Sequence, residues 1–92
     1  MKEIIRMENN EYKYVTIIFE NFNYGSTPDN PIFYGKEYLY KTKKDFVENQ
    51  IIELDTDYGH SRAAINRINI PEDIAKRDAL DFGWTLDDLK EI

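Results

Sequence analysis

Apolar and polar residues alternate through EYKYVTIIFE (11–20), setting Val15, Ile17 and Phe19 on one side of an extended chain and Tyr14, Thr16 and Ile18 on the other. β-Branched and aromatic residues dominate these positions, so the pattern predicts a strand. NFNYGSTPDNP (21–31) then collects Asn, Gly, Ser, Asp and two Pro, the residues of a loop. It is long for a hairpin connection, a length that goes with function as well as with a mobile, solvent-facing tip. IFYGKEYLYKT (32–42) reads as a second strand, with a bulge or sharp bend expected at Gly35. KKDFVENQ (43–50) is a turn carrying the apolar pair Phe46 and Val47, and IIELD (51–55) is a short strand. RAAINRINI (62–70) is another, with Ala64, Ile68 and Ile70 in phase on one face and Ala63 and Ile65 on the other. Asn66 and Arg67 break its apolar face, which implies an edge strand or a bulge.

After residue 70 the period changes from two to between three and four. IPEDIAKRDALDFG (70–83) predicts a helix with Pro71 at its first position and Glu72 and Asp73 in the first turn, where the helix dipole favours anions. Ile74, Ala75, Asp78, Ala79 and Phe82 share one side, and Gly83 is a natural stop. TLDDLKEI (85–92) restarts, with Thr85 as N-cap and Asp88 three residues on, a capping box with Asp in place of Glu. Leu86, Leu89 and Ile92 form its apolar stripe. The chain of 92 residues is long enough for one domain. The elements predict an α+β fold: a small antiparallel, partly open β-barrel or curled sheet of four to five strands over residues 1–70. One or two C-terminal helices, within an acidic tail over 71–92, pack on it.

Composition narrows the chemistry. Seven of the aromatic residues are Tyr, which packs its ring while keeping its hydroxyl wet. Cysteine is absent, which removes disulfides, thiolate metal sites and thiol nucleophiles. MKEIIRMENN has no long apolar run or cleavage pattern, and no stretch approaches the length of a membrane span. A cytoplasmic protein with no membrane association and no cofactor is expected. The net charge is −6, concentrated in residues 71–92, which hold seven acids and three bases. Such a segment repels nucleic acid and attracts a basic partner.

DTDYGHS (55–61) brings two carboxylates, the single His and a Ser into seven residues. Between two strand-like segments it reads as a hairpin connection. A Ser–His–Asp triad is not favoured, because adjacent His60 and Ser61 point to opposite faces of an extended chain and Ser26 lies in another loop. Asp55 and Asp57, with Asp45 or Glu53, are hard oxygen ligands, but the spacing of a calcium loop is missing. His60 has no second His or Cys to share a transition metal. NYGST (23–27) lacks the Lys of a phosphate loop. No catalytic set and no metal site is predicted, so an enzyme is not expected.

KEYLYKT followed by DFVENQIIELDTDYGHSRAAINRI, within residues 36–68, resembles small SH3-like β-barrel domains. Similar segments occur in the N-terminal domains of primosomal helicases and in short phage and prophage proteins. The chain departs from that pattern at Glu48-Asn49-Gln50, where the family carries a Gly-Asp turn. The resemblance implies a fold and carries over no binding residues. Its phage association implies a protein that inhibits a host nucleic-acid-handling or defence protein, as anti-CRISPR proteins do, with carboxylates standing where the target expects phosphates.

Two readings follow. In the first, the chain is a non-enzymatic protein-binding inhibitor of a host or bacterial protein with a basic surface. Asp81, Asp87, Asp88 and Glu91 are its phosphate mimics and Trp84 its anchor. The bland alternatives are a solvated acidic face and a Trp that packs the tail on the sheet. In the second, the chain is a nucleic-acid-binding barrel. Tyr38, Tyr40 and Tyr58 stack bases while Lys36, Lys41, Lys43 and Lys44 meet phosphates. Its bland alternative is a set of ordinary sheet tyrosines.

Overall fold

The computed structural model describes residues 11–92. The decamer on which the expectation of no leader rests lies outside the described residues. Four strands form the sheet: β1 (Lys13–Glu20), β2 (Phe33–Thr42), β3 (Ile51–Thr56) and β4 (Gly59–Arg67). Helix α1 (Glu72–Leu80) and a 3-10 turn (Leu86–Asp88) follow. The sheet is open, with order β2-β1-β4-β3 and every neighbouring pair antiparallel. Its edges are β2 and β3, so β4 is central rather than at an edge. Of the two expectations for the polar pair the bulge is the one that holds: Thr16 faces Arg67 while Ile17 faces Ile65, leaving Asn66 as the extra residue.

That bulge corrects the phase expected over 62–70. The strand ends at Arg67, and Asn69 takes φ 53° before Pro71. Ile68 therefore packs with Ile17 and Ile65, while Ile70 joins the opposite core. Gly35 behaves as expected. The β1–β2 register slips between Ile18 and Glu20, and Gly35 sits in the slip at φ 123°, a conformation that side chains rarely adopt. At the turn where the resemblance has Gly-Asp, Asn49 takes φ 70°. Asn tolerates this region better than most residues, which explains how the turn forms without glycine. Asn49 then donates to the Ile65 carbonyl, and the Ile65 amide donates to the Gln50 carbonyl, starting the pairing that β3 continues.

Alternation along β1 divides the apolar residues between two cores. On one face Ile17, Ala63 and Ile65 are fully buried, with Phe19, Tyr40, Ile52 and Leu54 packed against them. Phe46 of the 43–50 turn covers this core, while Val47 stays exposed. On the other face Leu39 and Ile70 meet Ala75 and Ala79 of α1, and Tyr14, Ile74 and Leu86 close the cluster. Two small residues on the buried stripe let the helix approach the sheet closely. Helix α1 stops at Leu80, short of the expected span, so Phe82 leaves the stripe and is 43% exposed. The segment expected as a second helix is a single 3-10 turn. Its box forms as predicted: the Asp88 carboxylate accepts from the Thr85 amide at 2.8 Å and from the Thr85 hydroxyl at 3.1 Å.

Beyond that turn the chain crosses the outer edge of β2. The Lys41 amide donates to the Lys90 carbonyl at 3.0 Å and the Ile92 amide to the Lys41 carbonyl at 3.0 Å, with Glu91 pairing parallel to Lys41. Leu89 is buried in the helix-side core, and Ile92 packs on the opposite one. Among the described residues no helix is long and apolar enough to cross a membrane.

Candidate functional site: an aromatic band across the edge of the sheet

The 21–31 segment is not a loose tip. Arg62 donates through Nε and Nη2 to the two carboxylate oxygens of Glu20, at 2.9 and 2.7 Å, and also reaches the carbonyls of Thr27 and Pro28. Ser26 donates to the same carboxylate and accepts from the Ile32 amide. These bonds from Arg62 and Ser26 hold the Glu20 carboxyl below its ordinary range. The loop is thereby fastened to the sheet by a fork of charge-assisted bonds.

DTDYGHS is a hairpin turn. Asp57 and Tyr58 link Thr56 to Gly59, and Gly59 takes φ 112°. The Thr56 hydroxyl donates to the Gly59 carbonyl and accepts from the Tyr58 amide, so the turn is closed by its own side chain. His60 lies across from Asp55 and bonds two acids, with Nδ1 2.8 Å from Asp55 and Nε2 2.6 Å from Glu53. Both acids are acceptors, and the bonds from Glu53 and Asp55 raise the His60 pKa. Ser61 belongs to the wall of a different cavity, with Phe19. The structure thus separates the groups that are adjacent in sequence. Asp57 is not part of the His60 cluster and instead faces Lys90 at 3.7 Å. Among the described residues, no group of three or more His, Cys, Asp or Glu side chains is placed to hold a metal ion.

On the face of β1 that carries Phe19, a cavity of about 280 Å³ opens between Phe19, Tyr38, Tyr40 and Tyr58, with Asp57 and Lys90 also lining it. Phe19 and Tyr38 meet edge to face, with centroids 5.4 Å apart and planes at 67°. Burial raises the Tyr40 pKa, with further contributions from Tyr38 and Asp57. Tyr58 sits fully exposed on the hairpin tip. A second cavity of about 450 Å³ adjoins the first, sharing Tyr40, Thr56 and Lys90 and including Phe46, Glu91 and Ile92.

The aromatic surface continues past the cavity. The Lys36 ammonium lies 5.5 Å from the Tyr38 ring centre and 4.7 Å from that of Phe82. Phe82 in turn stands 5.6 Å from Trp84. One band therefore runs from Trp84 through Phe82, Lys36 and Tyr38 to Tyr58. Trp84 is 46% exposed and is not among the buried residues of either core. The anchor of one reading and the tyrosines of the other lie on the same surface.

The remaining candidates divide. Asp88 caps the 3-10 turn, and Glu91 accepts from the Tyr12 hydroxyl at 3.1 Å, so both are engaged within the chain. Asp81 and Asp87 are exposed and have no ion-pair partner among the described residues. Asp81 is the C-cap of α1, where the dipole disfavours a carboxylate. The ammonium groups of Lys41 and Lys43 lie 4.8 and 5.0 Å from the Tyr12 ring centre, away from the band, and Lys44 lines the second cavity. Sequence reasoning missed Phe19, Phe82 and Lys90 as members of the surface. Phe19 reads as an inward strand residue, and the approach of Lys90 to the hairpin depends on the crossing of the β2 edge. Neither protein-family models, curated proteins nor solved structures give a match to this chain.

Proposed function

We propose that this is a non-enzymatic binding protein that docks a protein partner with a basic surface on the band from Trp84 to Tyr58. The observation that carries the reading is the continuity of that band. Tyr38, Tyr58, Phe82 and Trp84 are all left exposed along it. Rigid aromatics beside charge are the side chains that dominate binding energy at interfaces. The net charge of −6 and the carboxylate of Asp81, kept where the helix dipole opposes it, favour a basic partner. The narrower form of this reading is inhibition of a host nucleic-acid-handling or defence protein, with Asp81 and Asp87 as phosphate mimics. Its support is the acidic balance of residues 71–92 and the resemblance to phage proteins.

The test is an affinity pull-down from bacterial lysate with and without nuclease, repeated with Trp84→Ala and Tyr58→Ala. A partner that survives nuclease and is lost in both variants is expected. Full retention by both variants would refute the band as the docking surface. Charge reversal at Asp81 and Asp87 is expected to release a basic partner.

A second reading has one observation in its favour: Tyr38, Tyr40 and Tyr58, as base-stacking residues require, line one cavity. It is the SH3-like, nucleic-acid-binding alternative. Of the lysines that would meet phosphates, Lys36 alone lies on the rings of the band. A low-salt gel shift with single- and double-stranded DNA and RNA decides it, and the expected result is no shift.

A further inference from the structure

We propose that the cavity between Phe19, Tyr38, Tyr40 and Tyr58 is an aromatic cage for one arginine side chain of the protein partner. This deepens the reading of the band as the partner surface and rests on it.

The rings supply the first argument. The face of an aromatic ring carries negative charge density and attracts a cation, whereas it repels an anion. Phe19 and Tyr38 stand at 67°, which makes a corner rather than a stack. A guest in that corner meets ring surface from two directions. Tyr40 lines the cavity as well, and Tyr58 stands fully exposed at its rim, free to close on a guest. The chain already seats its own cations on such surfaces: Lys36 lies over Tyr38 and Phe82, and Lys41 and Lys43 over Tyr12.

Charge supplies the second. Asp57 lines the cavity, and its side chain is 86% exposed. Its companion Lys90 is 3.7 Å away and itself 70% exposed, so the pair is loose and solvent-screened. Lys90 acts as a resident competitor at the mouth of the cage. A guanidinium can offer Asp57 two parallel N–H donors and lay its plane on a ring, neither of which an ammonium does. That difference selects arginine over lysine. Size agrees: about 280 Å³ holds the end of one side chain and falls below the usual range of drug-sized ligand pockets.

The experiment follows the ring resonances of Tyr38, Tyr40 and Tyr58 by NMR in the intact protein. The probes are acetylated, amidated Gly-Gly-X-Gly-Gly peptides, with X as arginine, its uncharged isostere citrulline, or lysine. The arginine peptide is expected to shift all three rings saturably, with citrulline about tenfold weaker and lysine about threefold weaker. Asp57→Asn is expected to weaken the arginine peptide about fivefold, and Lys90→Ala to tighten it. Asp57, Tyr58 and Lys90 are all exposed, so these variants leave the fold intact. Equal binding of citrulline and arginine, or no ring shift with arginine, overturns the cage. Equal binding of lysine overturns the assignment to arginine. A lysate partner still lost on Tyr58→Ala while the arginine peptide fails to bind removes the cage and leaves the band standing. Retention of that partner by the band variants removes the band itself.

Discussion

The Thr42 hydroxyl donates a 2.7 Å hydrogen bond to the carbonyl of Ile92, fifty residues further along the chain. Thr42 is fully buried and also accepts from the Lys44 amide at 3.0 Å. A valine here keeps the shape and leaves both partners without their bond. Thr42→Val is therefore expected to cost about 1–3 kcal/mol. Urea unfolding with an unchanged slope checks this, and an unchanged midpoint would contradict it.

Glu37 gathers the polar residues of the bulge. Its carboxylate accepts from Arg67 Nε and Nη2 at 2.9 and 3.0 Å, and from Thr16 and Asn66. Burial pushes its pKa up, but the bonds from Arg67, Thr16 and Asn66 outweigh burial and leave it below the ordinary range. A lowered folded pKa contributes stability above the unfolded value of about 4.3, and that stability is lost as pH falls through the folded value. Glu37→Gln is expected to cost about 1–3 kcal/mol at pH 7. The loss should shrink as pH drops below 4. Denaturant midpoints across pH 3–7 for both proteins test the convergence.

His60 carries the opposite sign. Its bonds to Glu53 and Asp55 raise its pKa, so the stability it contributes is present below the unfolded value of about 6.5 and is lost as pH rises through the folded value. The imidazole titration, followed by NMR, is expected to have a midpoint above 6.5. The double variant Glu53→Gln, Asp55→Asn is expected to return it to the ordinary range. All three groups are largely exposed, so the effect should fade with added salt.

Two isoleucines provide a check on the packing. Ile17 is fully buried, whereas Ile51 on the edge strand is 49% exposed. Ile17→Ala is expected to cost about 2–5 kcal/mol, which leaves a domain of this size barely folded. Ile51→Ala should fall within about 1 kcal/mol of the parent. Thermal unfolding of the pair measures the contrast.

Much of the fold is legible in local patterns. The strands over 13–20 and 33–42, the Gly35 irregularity, the hairpin at Asp57–Tyr58 and the Thr85–Asp88 box all follow from residues within a few positions of one another. What failed depended on distant partners. Asn66 and Arg67 leave edge and bulge both open, because the acceptor that distinguishes them, Glu37, lies about thirty residues away. Phe82 fits the helical stripe by spacing, yet the helix ends before it and its ring meets Lys36. The site shows the same limit. Tyr38, Tyr40, Tyr58 and Trp84 stand out by residue type. Their continuity is created by Lys36, Phe82 and the sheet register, which no local window contains.

The segment from Leu89 to Ile92 places its first residue in one core and its last against the other. Withdrawing that segment removes an apolar side chain from each core, so the two small cores are expected to unfold together. Coincident transitions by probes on either face of the sheet check this coupling of helix, sheet and the surface they jointly display.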